Sequence, residues 1–299
     1  MSTLDWIAVD WGTTHCRAWA IGPSGQVLSE ASSSDGMGGL RPDQFEAALL
    51  NLVEPWLDVT TVDVVACGMV GSRQGWVEAP YAQVPCAPAD TETVLAPTKD
   101  VRLRVQIVPG LKQIDPADVM RGEETQIAGA LSLSPNFDGV MVLPGTHSKW
   151  VQISADEVVS FRSFMTGEMF GLLSRASVLK HSMDDGWDGA AFSEAVEETL
   201  SRPESLASKL FSIRAETLLK GLPGAAARAR LSGLLIGAEL AATKPYWLGM
   251  PVSILGADAL GDAYGAALAA QGIEAKMIAP VDATLAGLSA ARMKQKETT

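Results

Sequence analysis

Two copies of one short pattern constrain this chain more than anything else in it. Ile7-Ala8-Val9-Asp10-Trp11-Gly12-Thr13-Thr14-His15-Cys16-Arg17-Ala18-Trp19-Ala20-Ile21 is an apolar run that ends on a lone carboxylate, turns at a Gly-Thr-Thr corner and resumes with β-prone residues. Far downstream, Val142-Leu143-Pro144-Gly145-Thr146-His147-Ser148-Lys149-Trp150-Val151-Gln152-Ile153 repeats the layout. Each copy predicts a hairpin with a small, hydroxyl-bearing corner. Gly12 aligns with Gly145, Thr13 with Thr146 and Thr14 with His147. A repeat this widely spaced predicts two related domains, and 299 residues suffice for two of roughly 150. The expected division is an N-terminal lobe over 1–135 and a C-terminal lobe over 136–299, with the final helix packing back on the first lobe.

The corners carry the chemistry. Glycine lets a backbone come close to a ligand, and the threonines offer N–H and O–H donors that suit phosphate oxygens. Asp10 could hold Mg²⁺ through its waters, because this ion keeps much of its hydration and prefers carboxylate plus phosphate. The second copy has Leu143 where the first has Asp10, so one half alone carries an acid for a metal. That asymmetry fits two lobes gripping one nucleotide with a single Mg²⁺. An ordinary hairpin with an Asp-Gly-type turn would carry the first stretch equally well.

Composition narrows the classes. Hydrophobic residues make up 47% and charged residues 19%, enough for a substantial core. The net charge of −12 argues against nucleic acid or an anionic membrane as partner, and an anionic substrate needs a local basic pocket. Three cysteines, Cys16, Cys67 and Cys86, form no metal spacing and point to a reducing cytoplasm. The opening strand and the lack of an 18-residue apolar run argue against secretion and membrane insertion.

Between the corners lie further candidates. A buried strand over Thr61 to Cys67 opens onto Gly68-Met69-Val70-Gly71-Ser72-Arg73-Gln74-Gly75-Trp76, and ligand sites in α/β sheets collect at such strand ends. Arg73 has a planar fork suited to a carboxylate, although a solvated arginine fits the loop too. Glu123 and Glu124 open a helix pattern, where the helix dipole favours acids and where one of them could serve as a general base. Thr166-Gly167-Glu168 precedes another helix, and capping alone would explain it. Helices are expected over Pro42 to Leu57, Met169 to Leu179, Ala190 to Leu200 and Ala225 to Thr243, where Gly237 suits close packing or ligand approach. Gly256 and Ala257 link a strand to an Ala/Gly-rich helix, a setting for adenine or ribose. Asp282 to Arg292 is expected as a closing helix, with Lys294 to Thr299 a frayed tail.

Taken together the motifs resemble the actin-like ATPase (ribonuclease H-like) fold of sugar kinases, an α/β architecture of duplicated domains around a central nucleotide cleft. They are most similar to the 2-dehydro-3-deoxygalactonokinases, through Val9 to Thr14, Gly68 to Trp76, Arg121 to Gln126, Pro144 to Trp150 and Phe164 to Glu168. The resemblance implies transfer of the ATP γ-phosphoryl to the 6-hydroxyl of 2-dehydro-3-deoxy-D-galactonate, in galactonate breakdown. It implies Asp10 for hydrated Mg²⁺; Gly12, Thr13, Thr14, Gly145, Thr146, His147 and Lys149 for phosphates; and Gly256, Ala257 and Gly237 for the nucleoside. For the small-molecule sugar acid it implies Ser72, Arg73, Gln74, Trp76 and Glu168, with Glu123 preferred to Glu124 as base. The rivals are a kinase of the same fold for another sugar or sugar acid, a phosphohydrolase of the exopolyphosphatase type, and a nucleotide-dependent binding module. The sequence leaves room for a homo-oligomer.

Overall fold

The computed structural model describes residues 3–256 and 258–298, which fall into two compact units. The first comprises Met1–Phe137, Ser154–Ser160 and Ala279–Thr299; the second comprises Asp138–Ile153 and Phe161–Ile278.

In the first unit, β1 (Trp6–Trp11) pairs antiparallel with β2 (Cys16–Ile21), and β2 with β3 (Val27–Ser33). After α1 (Phe45–Val53) the chain returns as β4 (Val62–Gly68), parallel to β1 on its other side. Short strands β5 (Ala82–Gln83) and β6 (Val94–Leu95) precede β7 (Leu103–Ile107), which lies parallel to β4. β8 (Leu111–Gln113) and β9 (Asp118–Met120) join β5 in a small sheet, and α2 (Glu123–Leu133) follows. The main sheet has the order β3-β2-β1-β4-β7-β6.

Side chains of a strand alternate between faces, and both faces of β1 are covered. Ile7, Val9 and Trp11 pack with Phe45, Leu49 and Val53 of α1. Trp6 and Ala8 pack with Trp19, Val65 and Leu288 of the closing helix. A strand buried on both sides reads as a near-continuous apolar run, which leaves Asp10 as its conspicuous exception.

The second unit begins with β10 (Gly139–Leu143), β11 (Ser148–Ser154) and β12 (Glu157–Phe164), of which Ser154 and the first half of β12 fall in the first unit. Helices α3 (Thr166–Ala176), α4 (Gly189–Ser201), α5 (Leu206–Lys220), α6 (Gly224–Ala242) and α7 (Lys244–Trp247) follow. Then come β13 (Val252–Leu255), α8 (Ala259–Ala269) and β14 (Lys276–Ile278). The closing helix α9 (Pro280–Thr298) returns to the first unit. The order β12-β11-β10-β13-β14 matches β3-β2-β1-β4-β7 strand for strand, with the same hairpin and the same parallel neighbour. The duplication expected from the two corners is therefore present in the topology.

Several local expectations are corrected. The helix foreseen from Pro42 to Leu57 is α1 flanked by 3₁₀ turns, and Pro55 in the second turn cannot donate to a continuing helix. Beside the first corner, Met37 donates its N–H to Gly12 O (3.0 Å) and Gly38 to Thr13 O (2.9 Å). The supposed tail is helical to Thr298, and Lys294 Nζ meets Asp90 Oδ1 at 2.6 Å. No helix among the described residues is long and apolar enough to cross a membrane.

Candidate active site

Asp10 closes β1. In register with it are Arg17 on the antiparallel side and Cys67 on the parallel side. Arg17 Nη2 donates to Asp10 Oδ2 at 2.7 Å, and Cys67 Sγ lies 4.0 Å from Oδ1. The corner beyond is closed by Gly12 N–H on His15 O (2.9 Å), and Thr13, Thr14 and His15 are exposed. Asp10, Gly12, Thr14, His15, Arg17 and Ser32 line a cavity of about 380 Å³.

Two glycines bring the acids of α2 to this place. Gly68 ends β4 at φ +91°, and a Cβ there would lie 2.7 Å from Trp11 O and 3.6 Å from Asp10 Oδ1. Gly122, at φ +102° before α2, would set its Cβ 3.4 Å from Gly68 Cα. Both conformations are strained for any residue with a side chain. The end of β1, the exit of β4 and the start of α2 thus converge. Glu123 is half-buried and accepts from Arg121 N–H at 3.0 Å. Glu124 is fully buried, accepting from Gly122 N–H (2.6 Å) and Thr125 Oγ1 (3.0 Å). Burial, then the charge of Glu123, pushes the Glu124 carboxyl up to about 8.

The Gly68–Trp76 segment leaves β4 through a 3₁₀ turn, Met69–Gly71. Ser72 is buried, whereas Arg73 and Gln74 are exposed. Trp76 is a correction: it stacks on Phe45 (6.3 Å, 16°) and meets Trp11 edge-on (6.4 Å, 72°), so it belongs to the core and not to a ligand surface.

In the second unit the corner at Gly145 is capped by α3. Glu168 donates its backbone N–H to Thr146 O (2.8 Å), and the glycine at 167 permits this approach, since a Cβ there would sit 2.2 Å from Gly145 O. His147 Nε2 and Glu168 Oε2 are 2.6 Å apart, so the Glu168 side chain pairs within this corner. Lys149 is buried on β11, on the face opposite Ser148 and Trp150. Those two donate to Glu239 Oε1 (2.8 and 2.7 Å), while Thr166 and Tyr264 donate to Oε2. Four donors hold this one carboxylate in the core; burial still pushes its carboxyl up.

Beside the corner is a cavity of about 690 Å³, within the roughly 300–1,000 Å³ usual for small-molecule sites. Gly145, Thr146, Thr166 and Gly167 form one wall, Ser232 and Ile236 of α6 another, and Asp258 with Ala259 at the start of α8 a third. Arg175 and Arg228 also reach it, Arg228 lying over the Phe170 ring at 5.2 Å.

The model of the family described as DGOK, 2-keto-3-deoxy-galactonokinase, matches residues 10–291. The chain belongs to the 2-keto-3-deoxy-galactonokinase family. A protein of Rhizobium meliloti (strain 1021), named as a probable 2-dehydro-3-deoxygalactonokinase, is 40% identical over 291 residues, covering 95% of each chain. The 2-dehydro-3-deoxygalactonokinase of Escherichia coli (strain K12) is 36% identical over 290 residues, covering 96% of this chain and 97% of its own. A crystal structure from Sinorhizobium meliloti described under the same kinase name superposes with a TM-score of 0.91 at 39% identity, covering 97% of this chain and 99% of the other. Component A of an (R)-2-hydroxyglutaryl-CoA dehydratase from Acidaminococcus fermentans, at 12% identity and a TM-score of 0.53, is similar in fold alone.

The protein is thus a sugar-acid kinase, a phosphotransferase of actin-like ATPase fold that draws on ATP. For this kinase the nucleoside expectations divide. Gly237 is corrected: a Cβ there would meet Val196 O at 2.3 Å, so the glycine serves the contact between α6 and α4. Gly256 is buried, its N–H on Ile278 O (3.2 Å), and Ala257 lies outside the described residues. Arg175 and Arg228 escaped the sequence reading because arginines on helices look solvated. Arg121 escaped it too, although it is 91% buried, being 9% exposed.

Proposed function

We propose that this kinase transfers the γ-phosphoryl of ATP to the 6-hydroxyl of 2-dehydro-3-deoxy-D-galactonate, with the acceptor held by the first unit and the nucleoside by the second. The observation that carries the reading is the convergence at Gly68 and Gly122, which sets Asp10 and the start of α2 at one end of the first sheet.

Glu123 is the base. It takes the proton of the 6-hydroxyl as that oxygen bonds to the γ-phosphorus; the bond from phosphorus to the β–γ bridging oxygen breaks and ADP leaves. Glu124, fully buried and committed to its own helix start, cannot offer an open carboxylate. Gly12, Thr13 and Thr14 donate to phosphate oxygens from the first corner, and Gly145 and Thr146 from the second. Arg175 and Arg228 supply the local positive charge that a chain of net charge −12 needs to hold a nucleotide. Most of the catalytic effect is positioning and charge neutralisation, as in phosphoryl transfer generally.

Magnesium fits as an ion carried by the nucleotide. Asp10 is a lone carboxylate beside a phosphate corner, and among the described residues no cluster of three His, Cys, Asp or Glu side chains could cage a metal. When bound, the ion would neutralise charge on the β- and γ-phosphates. The test is Glu123→Gln, expected to lower kcat by about 10²–10⁴-fold with the KM for ATP nearly unchanged. Unaltered turnover removes Glu123 from the role.

A further inference from the structure

The guanidinium of Arg121 is buried without a counter-charge. Nη2 donates to Ala79 O at 2.7 Å and the group lies 4.3 Å over the Tyr81 ring, but Nε and Nη1 have no hydrogen-bond partner. No carboxylate among the described residues pairs with it. Nη1 abuts Gly71, where a Cβ would lie 2.9 Å away, and the next residue, Ser72, is 5% exposed with its Oγ also unpartnered. Arg121 Nη1 thus lies against Gly71, whose chain neighbour carries the unpartnered Ser72 hydroxyl, and Arg121 stands two residues along the chain from Glu123. A buried charge left uncompensated is strongly destabilising, and a buried donor wants an acceptor. Water would satisfy the hydrogen bonds and leave the charge; an anion satisfies both.

We propose that Arg121, with Ser72 beside it, anchors the carboxylate of the sugar-acid acceptor. This assignment rests on the sugar-acid kinase reading and replaces Arg73, whose side chain is on the exposed tip of the same loop. Nε and Nη1 carry the N–H groups, and the Ser72 hydroxyl adds a neutral donor to the other carboxylate oxygen. The three atoms are closed off from solvent. Seating the carboxylate therefore shifts the Gly71–Ala79 turn, now held by Gly75 N–H on Ser72 O (2.8 Å) and Ala79 N–H on Gly71 O (3.0 Å).

The experiment compares wild type, Arg121→Lys and Ser72→Ala in steady-state kinetics with 2-dehydro-3-deoxygalactonate and ATP. Lysine keeps the charge and loses the fork. The KM for the acid is expected to rise on the order of 100-fold in Arg121→Lys and about tenfold in Ser72→Ala, with the KM for ATP within about twofold. A second arm follows amide exchange at Gly75 and Ala79 on adding the acid alone. Protection there is expected to change in wild type and not in Arg121→Lys; if that variant does not fold, Ser72→Ala and the wild-type exchange decide. An active wild type whose variants keep the acid KM within about threefold overturns the anchor, as does an acid KM that responds to Arg73→Ala instead. A rise confined to the KM for ATP also overturns it, since the anion would then be a phosphate. A wild type inert toward the acid removes the kinase reading itself, a distinct result.

Discussion

The two hairpins share strand order and corner, yet differ at the residue that closes the central strand. In the first unit Asp10 faces Arg17 across the hairpin, and the corner lines a cavity of about 380 Å³; in the second, Leu143 faces Lys149, and the corner, capped by α3, lines one of about 690 Å³. The duplicated backbone supplies two Gly-Thr turns, and the central strand carries an acid two residues before the corner in the first copy and a leucine in the second. The buried carboxylates differ in the same way. Glu239 in the second unit collects four side-chain donors, a structural knot; Glu124 in the first collects one side-chain hydroxyl and one backbone N–H and sits beside another acid.

The sharpest way to break this comparison is to exchange the closing residues. Asp10→Asn is expected to lower kcat by on the order of 10²–10³-fold, with little change in melting temperature, because its pair with the 40% exposed Arg17 side chain contributes about 0–1 kcal/mol. Leu143→Asp, at a site 3% exposed, should instead cost about 2–5 kcal/mol of stability, because it removes buried apolar packing and desolvates a carboxylate even with Lys149 opposite. If Leu143→Asp melts like wild type, the two strand ends are not the different environments described. Next in size, Glu239→Leu should destabilise by about 2–4 kcal/mol in a denaturant titration, because it leaves the four buried donors without their shared acceptor. A loss below about 0.5 kcal/mol would remove the knot.

A further expected effect is a slope with pH. Below about 4.5 the Glu124 carboxyl is protonated in both folded and unfolded chains. Between about 4.5 and about 8 the unfolded chain releases that proton while the folded one keeps it, so stability contributed at low pH is lost as pH rises. Glu124→Gln should flatten this part of the melting-temperature profile; an unchanged profile would show that Glu124 ionises normally.

What could be read from the sequence was whatever local chemistry forces. The corners at Gly12 and Gly145 announced their hairpins because alternation and turn residues act within a few positions. The helix Leu206–Lys220 went unread, since Ile213 is its sole fully buried residue and no apolar stripe marks it. Trp76 looked like a ligand-facing aromatic among glycines until its neighbours Trp11 and Phe45, distant in sequence, were known. Arg121 stood beside two acids and drew no reading of its own; Ala79 and Tyr81, which cover it, are brought to it only by the fold.

The central claim is that the first unit holds a sugar acid whose terminal hydroxyl accepts a phosphoryl group beside Glu123. Phosphorus NMR of wild-type protein with ATP, Mg²⁺ and 2-dehydro-3-deoxygalactonate tests it most directly. The account predicts a new phosphomonoester resonance, split by the protons of the C6 methylene and growing in step with ADP. Inorganic phosphate growing with ADP and no phosphomonoester would contradict it.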